Sequence, residues 1–225
     1  MRLFLVRHAQ TPSNVVGALD TAAPGAGLTE LGRRQAAAAG AVLSERGVQH
    51  VHASPLVRTQ QTAEPLATTL GRPSAVHDGL AEIGAGDLEM RTDPEALRAY
   101  GTAVLGWLAG DLDVRVGGGG NGHEFLERYD AAVLAIAEAA AGATAAAFSH
   151  GAAIRTWVAL RVVNPEDLLR LAGTAGPGAG LRNTGCIVLD GDPERGWRAV
   201  AWENVPLGGA ELDTPDPFDT AAAPA

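Results

Sequence analysis

Three short stretches of this chain end in residues suited to phosphoryl chemistry. The apolar run Leu3-Phe4-Leu5-Val6 stops at Arg7-His8. The segment from Val48 to Ala53 stops at Ser54-Pro55, with Arg58 and Thr59 just beyond. The segment from Thr144 to Phe148 stops at Ser149-His150-Gly151. Guanidinium groups hold phosphoryl oxygens through paired N–H donors, and a neutral imidazole is nucleophilic near pH 7. Two arginines and two histidines brought together would form a site for a dianionic phosphoryl group. Taken singly, each histidine has a plainer reading as a satisfied interior or surface group. The recurrence at three segment ends favours the site.

Such convergence needs a particular frame. Leu3 to Val6 is a continuous apolar run, the pattern of a strand buried on both faces. Thr29-Glu30 opens a helix that stops near Gly47. Val48 to Ala53 reads as a second strand. Ser54 and Pro55 suit the cap and first position of a helix running to Gly71, with a bend at Pro65. Residues 74–92 read as extended or looped. Asp93-Pro94 starts a helix to about Leu108, and Gly117 to Gly120 mark a loop. An Ala-rich helix runs from about His123 to Gly142. Thr144 to Phe148 reads as a strand although alanine is a weak strand former, and Ala152 to Val163 as a helix. Cys186 to Leu189 and Trp197 to Trp202 are the final strands, joined as a hairpin across Asp190-Gly191-Asp192-Pro193. Strands alternating with helices predict an α/β protein, a three-layer α/β/α sandwich with a mainly parallel central sheet. Ligands of such sheets bind at the carboxyl ends of strands, beside helix N-termini. Arg7, His8, Arg58, His150 and Gly151 all fall there.

Composition narrows the partners. The 225 residues suit one domain over residues 1–205, with 85–125 as a lid or cap segment. Residues 206–225, rich in Pro, Gly, Asp and Ala and without a basic residue, are expected to form a flexible acidic tail. The formal net charge of −9 argues against nucleic acid. The expected anion is therefore a small phosphorylated metabolite. The sequence has no lysine, which excludes Schiff-base and Walker-type lysine chemistry. The single cysteine, Cys186, excludes an intrachain disulfide. His50 and His52 share one face of a strand but have no evident third ligand, so no metal site is expected. No apolar run is long enough for a signal h-region or a membrane span, so a cytoplasmic protein is expected.

The residues also carry a family resemblance. Arg7-His8-Ala9-Gln10-Thr11-Pro12-Ser13-Asn14 resembles the RHG-x-T-x-x-N signature of the histidine phosphatase superfamily, the phosphoglycerate-mutase-like group of branch 1 type. Leu28 to Ala36 resembles its LTxxGxxQA segment. Ser54 to Ala63 matches SPLxRTxQTA, Leu80-Ala81-Glu82-Ile83 matches LxEI, and His150 stands as the second histidine. The five motifs keep the family's order from residue 3 to about residue 155. Ala9 replaces the usual Gly. Gly84 to Met90 lacks the aromatic residues and final Gly of the usual fGxwEG, and Gly122-His123-Glu124 replaces GES. These departures bear on substrate identity more than on the chemistry.

The resemblance implies a metal-independent phosphomonoesterase of the histidine acid phosphatase type, with no cofactor. His8 would be the nucleophile, forming a phosphohistidine. Arg7, Arg58 and His150 would hold the phosphoryl oxygens, with Gln10 and Asn14 as neutral donors and Gly151 beside the phosphate. Glu82 would protonate the leaving oxygen and then take a proton from the attacking water. Its alternative role is as a salt-bridge partner of Arg7 or Arg58. Asn183, just before the penultimate strand, is expected to approach the site. A phosphoglycerate mutase and a non-catalytic phospho-ligand-binding protein are the alternatives. A mutase calls for extra basic groups, yet between Glu82 and His150 the chain offers only Arg91, Arg98, Arg115 and Arg128. A mere binder needs neither His8 nor Glu82. Relatives with this fold are often dimers, which leaves a homodimer open.

Overall fold

The computed structural model describes residues 1–172 and 180–214. Six strands form one sheet: β1 (Arg2–Arg7), β2 (His50–Ala53), β3 (Ala75–Val76), β4 (Ala145–Ser149), β5 (Cys186–Asp192) and β6 (Gly196–Glu203). The helices are α1 (Pro12–Val16), α2 (Glu30–Glu45), α3 (Val57–Leu70), α4 (Pro94–Leu108), α5 (Gly122–Ala140), α6 (Gly151–Arg161) and α7 (Pro165–Leu171). The strand order is β3-β2-β4-β1-β5-β6. The first four are parallel, while β5 and β6 add an antiparallel edge. This is the expected mixed α/β architecture with a mainly parallel sheet.

Alternation along β1 divides the core. Leu3 and Leu5 face a cluster built with α4, α5 and α6, while Phe4 and Val6 face one built with α2 and α3. Helices therefore cover both faces, which is the three-layer arrangement. Ala145, Ala146 and Ala147 are fully buried in β4, the strand between β1 and β2. Ladder bonds on both sides and burial of both faces outweigh the weak strand propensity of alanine.

Register is what positions the chemistry. β1 pairs with β4 so that Arg7 lies opposite Ser149, and the His8 N–H donates to the Ser149 carbonyl at 3.0 Å. β2 pairs with β4 so that Ala53 lies opposite Phe148. His8, Ser54 and His150 thus leave the sheet side by side at its carboxyl edge.

Two short helices escape the apolar periodicity. α1 holds together by a capping box between Thr11 and Asn14, and α7 begins at Pro165. Within the segment expected as a lid, α4 packs into the core through Tyr100 and Trp107, and the Trp107 ring stacks 5.7 Å from Phe125. The hairpin turn lies later than expected, at Pro193-Glu194-Arg195, where the Asp192 carboxylate accepts from the Glu194 and Arg195 N–H groups.

The sequence reading starts a flexible tail at residue 206, but residues 206–214 lie against the domain. Leu207 is 3% exposed, the Gln35 amide donates to the Leu212 carbonyl at 2.8 Å, and the Gln10 amide donates to Thr214 Oγ1 at 2.8 Å. One apolar anchor and paired amides are enough to dock a polar strap that composition alone marks as loose. Residues 215–225 lie outside the described residues. Among the described residues no helix is long and apolar enough to cross a membrane.

Candidate active site

A cavity of about 50 Å³ opens at the carboxyl edge of the sheet. Arg7, His8, Asn14, Arg58 and Glu82 line it, together with Thr11, Ser13, residues 17–21 and Tyr100.

His8 is 5% exposed, and its Nδ1 lies 2.8 Å from the Ala9 carbonyl oxygen. A carbonyl only accepts, so Nδ1 carries the proton and Nε2 keeps its lone pair. Burial, reinforced by the charges of Arg58 and Arg7, holds the His8 pKa well below its usual value near 6.5. The ring is therefore neutral at pH 7. Its backbone is fixed from two sides. The Asn183 amide donates to the His8 carbonyl at 2.9 Å, and the next residue's N–H donates to Thr62 Oγ1 at 3.0 Å.

His150 packs 5.3 Å from His8, centroid to centroid. Its Nε2 lies 2.8 Å from Ser54 Oγ, and Arg58 Nη2 donates to its Nδ1 at 3.2 Å. A guanidinium has no lone pair to offer, so Nδ1 accepts and the proton of the neutral ring sits on Nε2, toward Ser54. Burial is again the main cause that keeps its pKa well below 6.5, with Arg58 next.

The two arginines differ in their anchoring. Arg7 Nη1 donates to the Leu181 carbonyl at 2.5 Å. A Cβ at Gly151 would stand 3.2 Å from Arg7 Nε, so the first residue of α6 is small where the guanidinium passes. Arg58 is 2% exposed; its Nη2 also donates to the Asp20 carbonyl at 2.8 Å, and its Nη1 faces Asp20 Oδ1 at 3.6 Å. Arg58 Nε and Nη1 are buried without a hydrogen-bond partner among the described residues, the kind of donor an entering oxyanion satisfies. Gly25, at φ 68°, crosses so closely that a Cβ there would lie 2.5 Å from Arg58 Nη1.

Glu82 sits at the N-terminus of α6. Its Oε1 accepts from the Ala153 N–H at 2.8 Å and from its neighbour Ile83 N–H at 2.9 Å, and Oε2 accepts from the Ala152 N–H at 3.3 Å. Helix-end N–H groups are natural partners for a carboxylate. Arg128 of α5 secures the same loop from behind, donating to the carbonyls of Gly79 at 2.6 Å and of Ala81 and Glu82 at 2.8 Å. Ser149 Oγ donates to the Leu80 carbonyl at 2.7 Å, and the Tyr100 hydroxyl donates to the Ile83 carbonyl at 3.0 Å.

The remaining expected residues divide. Asn14 lines the cavity, and its Oδ1 accepts from Asn183 at 3.2 Å. Asn183 acts behind the cavity wall, on the backbone of His8 and on Asn14. Gly151 lies beside Arg7 rather than in the lining. Gln10 turns away: its amide spans Thr29 and Thr214 at 2.8 Å each and is absent from the lining. Its side chain thus ties the nucleophile loop to the docked strap. Asp20 and Tyr100 escape the sequence reading, in which Arg128 counts only as one of four basic groups, with no place in the site. Asp20 has no motif to itself, Tyr100 arrives on a distant helix, and Arg128 acts through backbone carbonyls, which no residue type announces. Among the described residues no cluster of three or more His, Cys, Asp or Glu is placed to hold a metal ion.

Neutral imidazole, paired guanidiniums and a carboxylate meet here at the carboxyl edge of a mainly parallel sheet, the layout of a phosphoryl-transfer protein. The family model for the histidine phosphatase superfamily (branch 1) matches residues 3–205, and the chain belongs to that family. The PE-PGRS family protein PE_PGRS11 of Mycobacterium tuberculosis (strain ATCC 25618 / H37Rv) is 37% identical over 93% of this chain, and the chain spans 37% of that protein's length. The probable phosphoglycerate mutase GpmB of Salmonella typhi is 29% identical over 96% of both chains. Among solved structures, mycobacterial glucosyl-3-phosphoglycerate phosphatase Rv2419c with VO3 superposes with a TM-score of 0.71 at 27% identity, covering 90% of this chain and 98% of that one.

Proposed function

We propose that this protein is a metal-independent phosphomonoesterase that hydrolyses a small phosphorylated metabolite through a phosphohistidine on His8. The observation that carries this reading is the tautomer of His8. With Nδ1–H given to the Ala9 carbonyl and the ring neutral, Nε2 is the nucleophilic nitrogen. Arg7 and Arg58 supply two positive charges for the phosphoryl oxygens, the stabilisation that a metal ion supplies elsewhere. Attack by Nε2 forms the N–P bond as the ester P–O bond breaks, and Glu82 gives its proton to the leaving oxygen. Glu82, now a carboxylate, takes a proton from water, whose oxygen attacks phosphorus and releases phosphate from His8. The structural likeness to a phosphatase supports hydrolysis as the outcome, and a cytoplasmic location is proposed with it.

The likeness to a protein named as a probable phosphoglycerate mutase supports a second reading, in which the phosphoryl group returns to a bound acceptor. The two readings separate in one assay. Incubation with a panel of phosphomonoesters should release inorganic phosphate from at least one metabolite and from p-nitrophenyl phosphate. Interconversion of 2- and 3-phosphoglycerate faster than phosphate release would replace the phosphatase reading with the mutase.

A further inference from the structure

We infer that Asp20 sets substrate class: it favours a phosphomonoester whose leaving group is a neutral, hydroxyl-bearing alcohol and disfavours one that carries a second anionic group. This rests on the phosphatase reading of the same cavity. Asp20 is a carboxylate inside the phosphoryl site, its side chain 7% exposed and in the lining. One oxygen, Oδ2, is held by Ser13 Oγ at 2.7 Å and by the Ala26 N–H at 3.0 Å. The other, Oδ1, faces Arg58 Nη1 at 3.6 Å. A phosphoryl group drawn to Arg58 therefore arrives next to a fixed negative charge.

The charge count of the lining decides what can accompany that phosphoryl group. The lining holds two cations, Arg7 and Arg58, one carboxylate, Asp20, and Glu82, which enters the proposed reaction as the protonated acid. The cations match a phosphoryl dianion and leave no surplus for a carboxylate on the leaving group. Arg155, whose charge reaches Tyr100, is spent partly on the Gly151 carbonyl at 3.1 Å and is outside the lining. Residues 173–179 and 215–225 contain no Arg, Lys or His, so neither segment can add a cation. A carboxylate acceptor beside the phosphoryl site suits donor hydroxyls on the leaving group, whereas like charges held a few Å apart in a partly desolvated cleft repel.

A minimal pair of substrates tests this. Glycerol 3-phosphate and 3-phosphoglycerate of matching configuration differ by a hydroxymethyl group in place of a carboxylate. The wild-type kcat/KM should favour glycerol 3-phosphate by roughly tenfold or more at pH 7.5. Asp20→Asn and Asp20→Gln should erase most of that ratio, by raising activity on 3-phosphoglycerate relative to its partner. A wild-type ratio near one, or one favouring 3-phosphoglycerate, overturns the inference without touching the phosphatase reading. So does an equal loss on both substrates in the variants, which would make Asp20 only a support for Arg58. If neither compound nor p-nitrophenyl phosphate is hydrolysed, the phosphatase reading fails. Calorimetric binding of the same two compounds to the wild-type protein then decides the inference: tighter glycerol 3-phosphate supports it, and equal or tighter 3-phosphoglycerate overturns it.

Discussion

Glu82→Gln separates a proton donor from a structural carboxylate. The glutamine oxygen can keep the two shorter bonds, from Ala153 at 2.8 Å and Ile83 at 2.9 Å. Only the contact from Ala152, already 3.3 Å long, meets an amide nitrogen that cannot accept. One weak hydrogen bond is worth about 1 kcal/mol, or about 2–4 °C in Tm for a domain of this size. Losing a general acid costs far more, roughly 10²–10⁴-fold in rate, about 2.7–5.4 kcal/mol in barrier at 1.36 kcal/mol per decade. That loss should fall on alkyl phosphates, whose alkoxide must be protonated, and hardly on aryl phosphates, whose phenolate leaves unaided. The assay is single-turnover phosphoenzyme formation with glycerol 3-phosphate and with p-nitrophenyl phosphate, since steady-state rates mix in dephosphorylation. Equal losses on the two substrates, with Tm within a few degrees of wild type, would refute the acid role and leave Glu82 as the anchor of the α6 N-terminus.

Three further outcomes follow from the same geometry. Hydrolysis of p-nitrophenyl phosphate should survive excess EDTA, because Arg7 and Arg58 carry the positive charge; loss of activity that divalent metal restores would contradict this. Thermal stability should fall as pH drops from about 6.5 toward 4.5. His52, 2% exposed and bonded to His77 at 2.9 Å, has its pKa lowered to about 4 by burial first and then by His77 and His50. An unfolded chain with histidines near 6.5 binds more protons than the fold between those values, so stability rises with pH there, by up to about 3 kcal/mol from His52. A Tm flat from pH 7.5 to 4.5, or a slope unaltered by His52→Asn, would contradict this. Leu207→Ala should lower Tm by about 4–12 °C, the effect of losing about 2–3 kcal/mol of buried side chain; no shift in differential scanning calorimetry would show that the strap is not docked.

Much of this was legible in the sequence because it rests on local pattern. Leu3 to Val6 announces a strand buried on both faces, and Ser54-Pro55 announces a helix start. The clustering of Arg7, His8, Arg58 and His150 follows once their strands are placed in one mainly parallel sheet, since the carboxyl ends must coincide, whereas Glu82, in a loop after β3, is placed by the family resemblance alone. What stayed hidden depends on register and on backbone partners. Gln10 shares a motif with His8, yet at the strand end its side chain points away and is used to bind Thr29 and Thr214. Arg128 holds three carbonyls, and a carbonyl belongs to every residue. Asp20 reaches the cavity from an irregular loop, and Tyr100 shares the buried face of α4 with Ala96, Ala103 and Trp107, which marks it as core rather than as cavity lining. The docking of residues 206–214 turns on Leu207 within a stretch whose composition otherwise signals disorder.

The central claim is covalent chemistry at His8, and trapping of alkali-stable phosphate after a denaturing alkaline quench tests it most directly. Protein mixed with ³²P-labelled substrate and quenched within the first turnover should carry label that survives alkali and is lost in acid, the stability of a phosphoramidate. Peptide mapping should place it on His8, and His8→Ala should carry none while keeping the wild-type Tm within a few degrees. Label on another residue, or full hydrolysis by His8→Ala, would contradict the account.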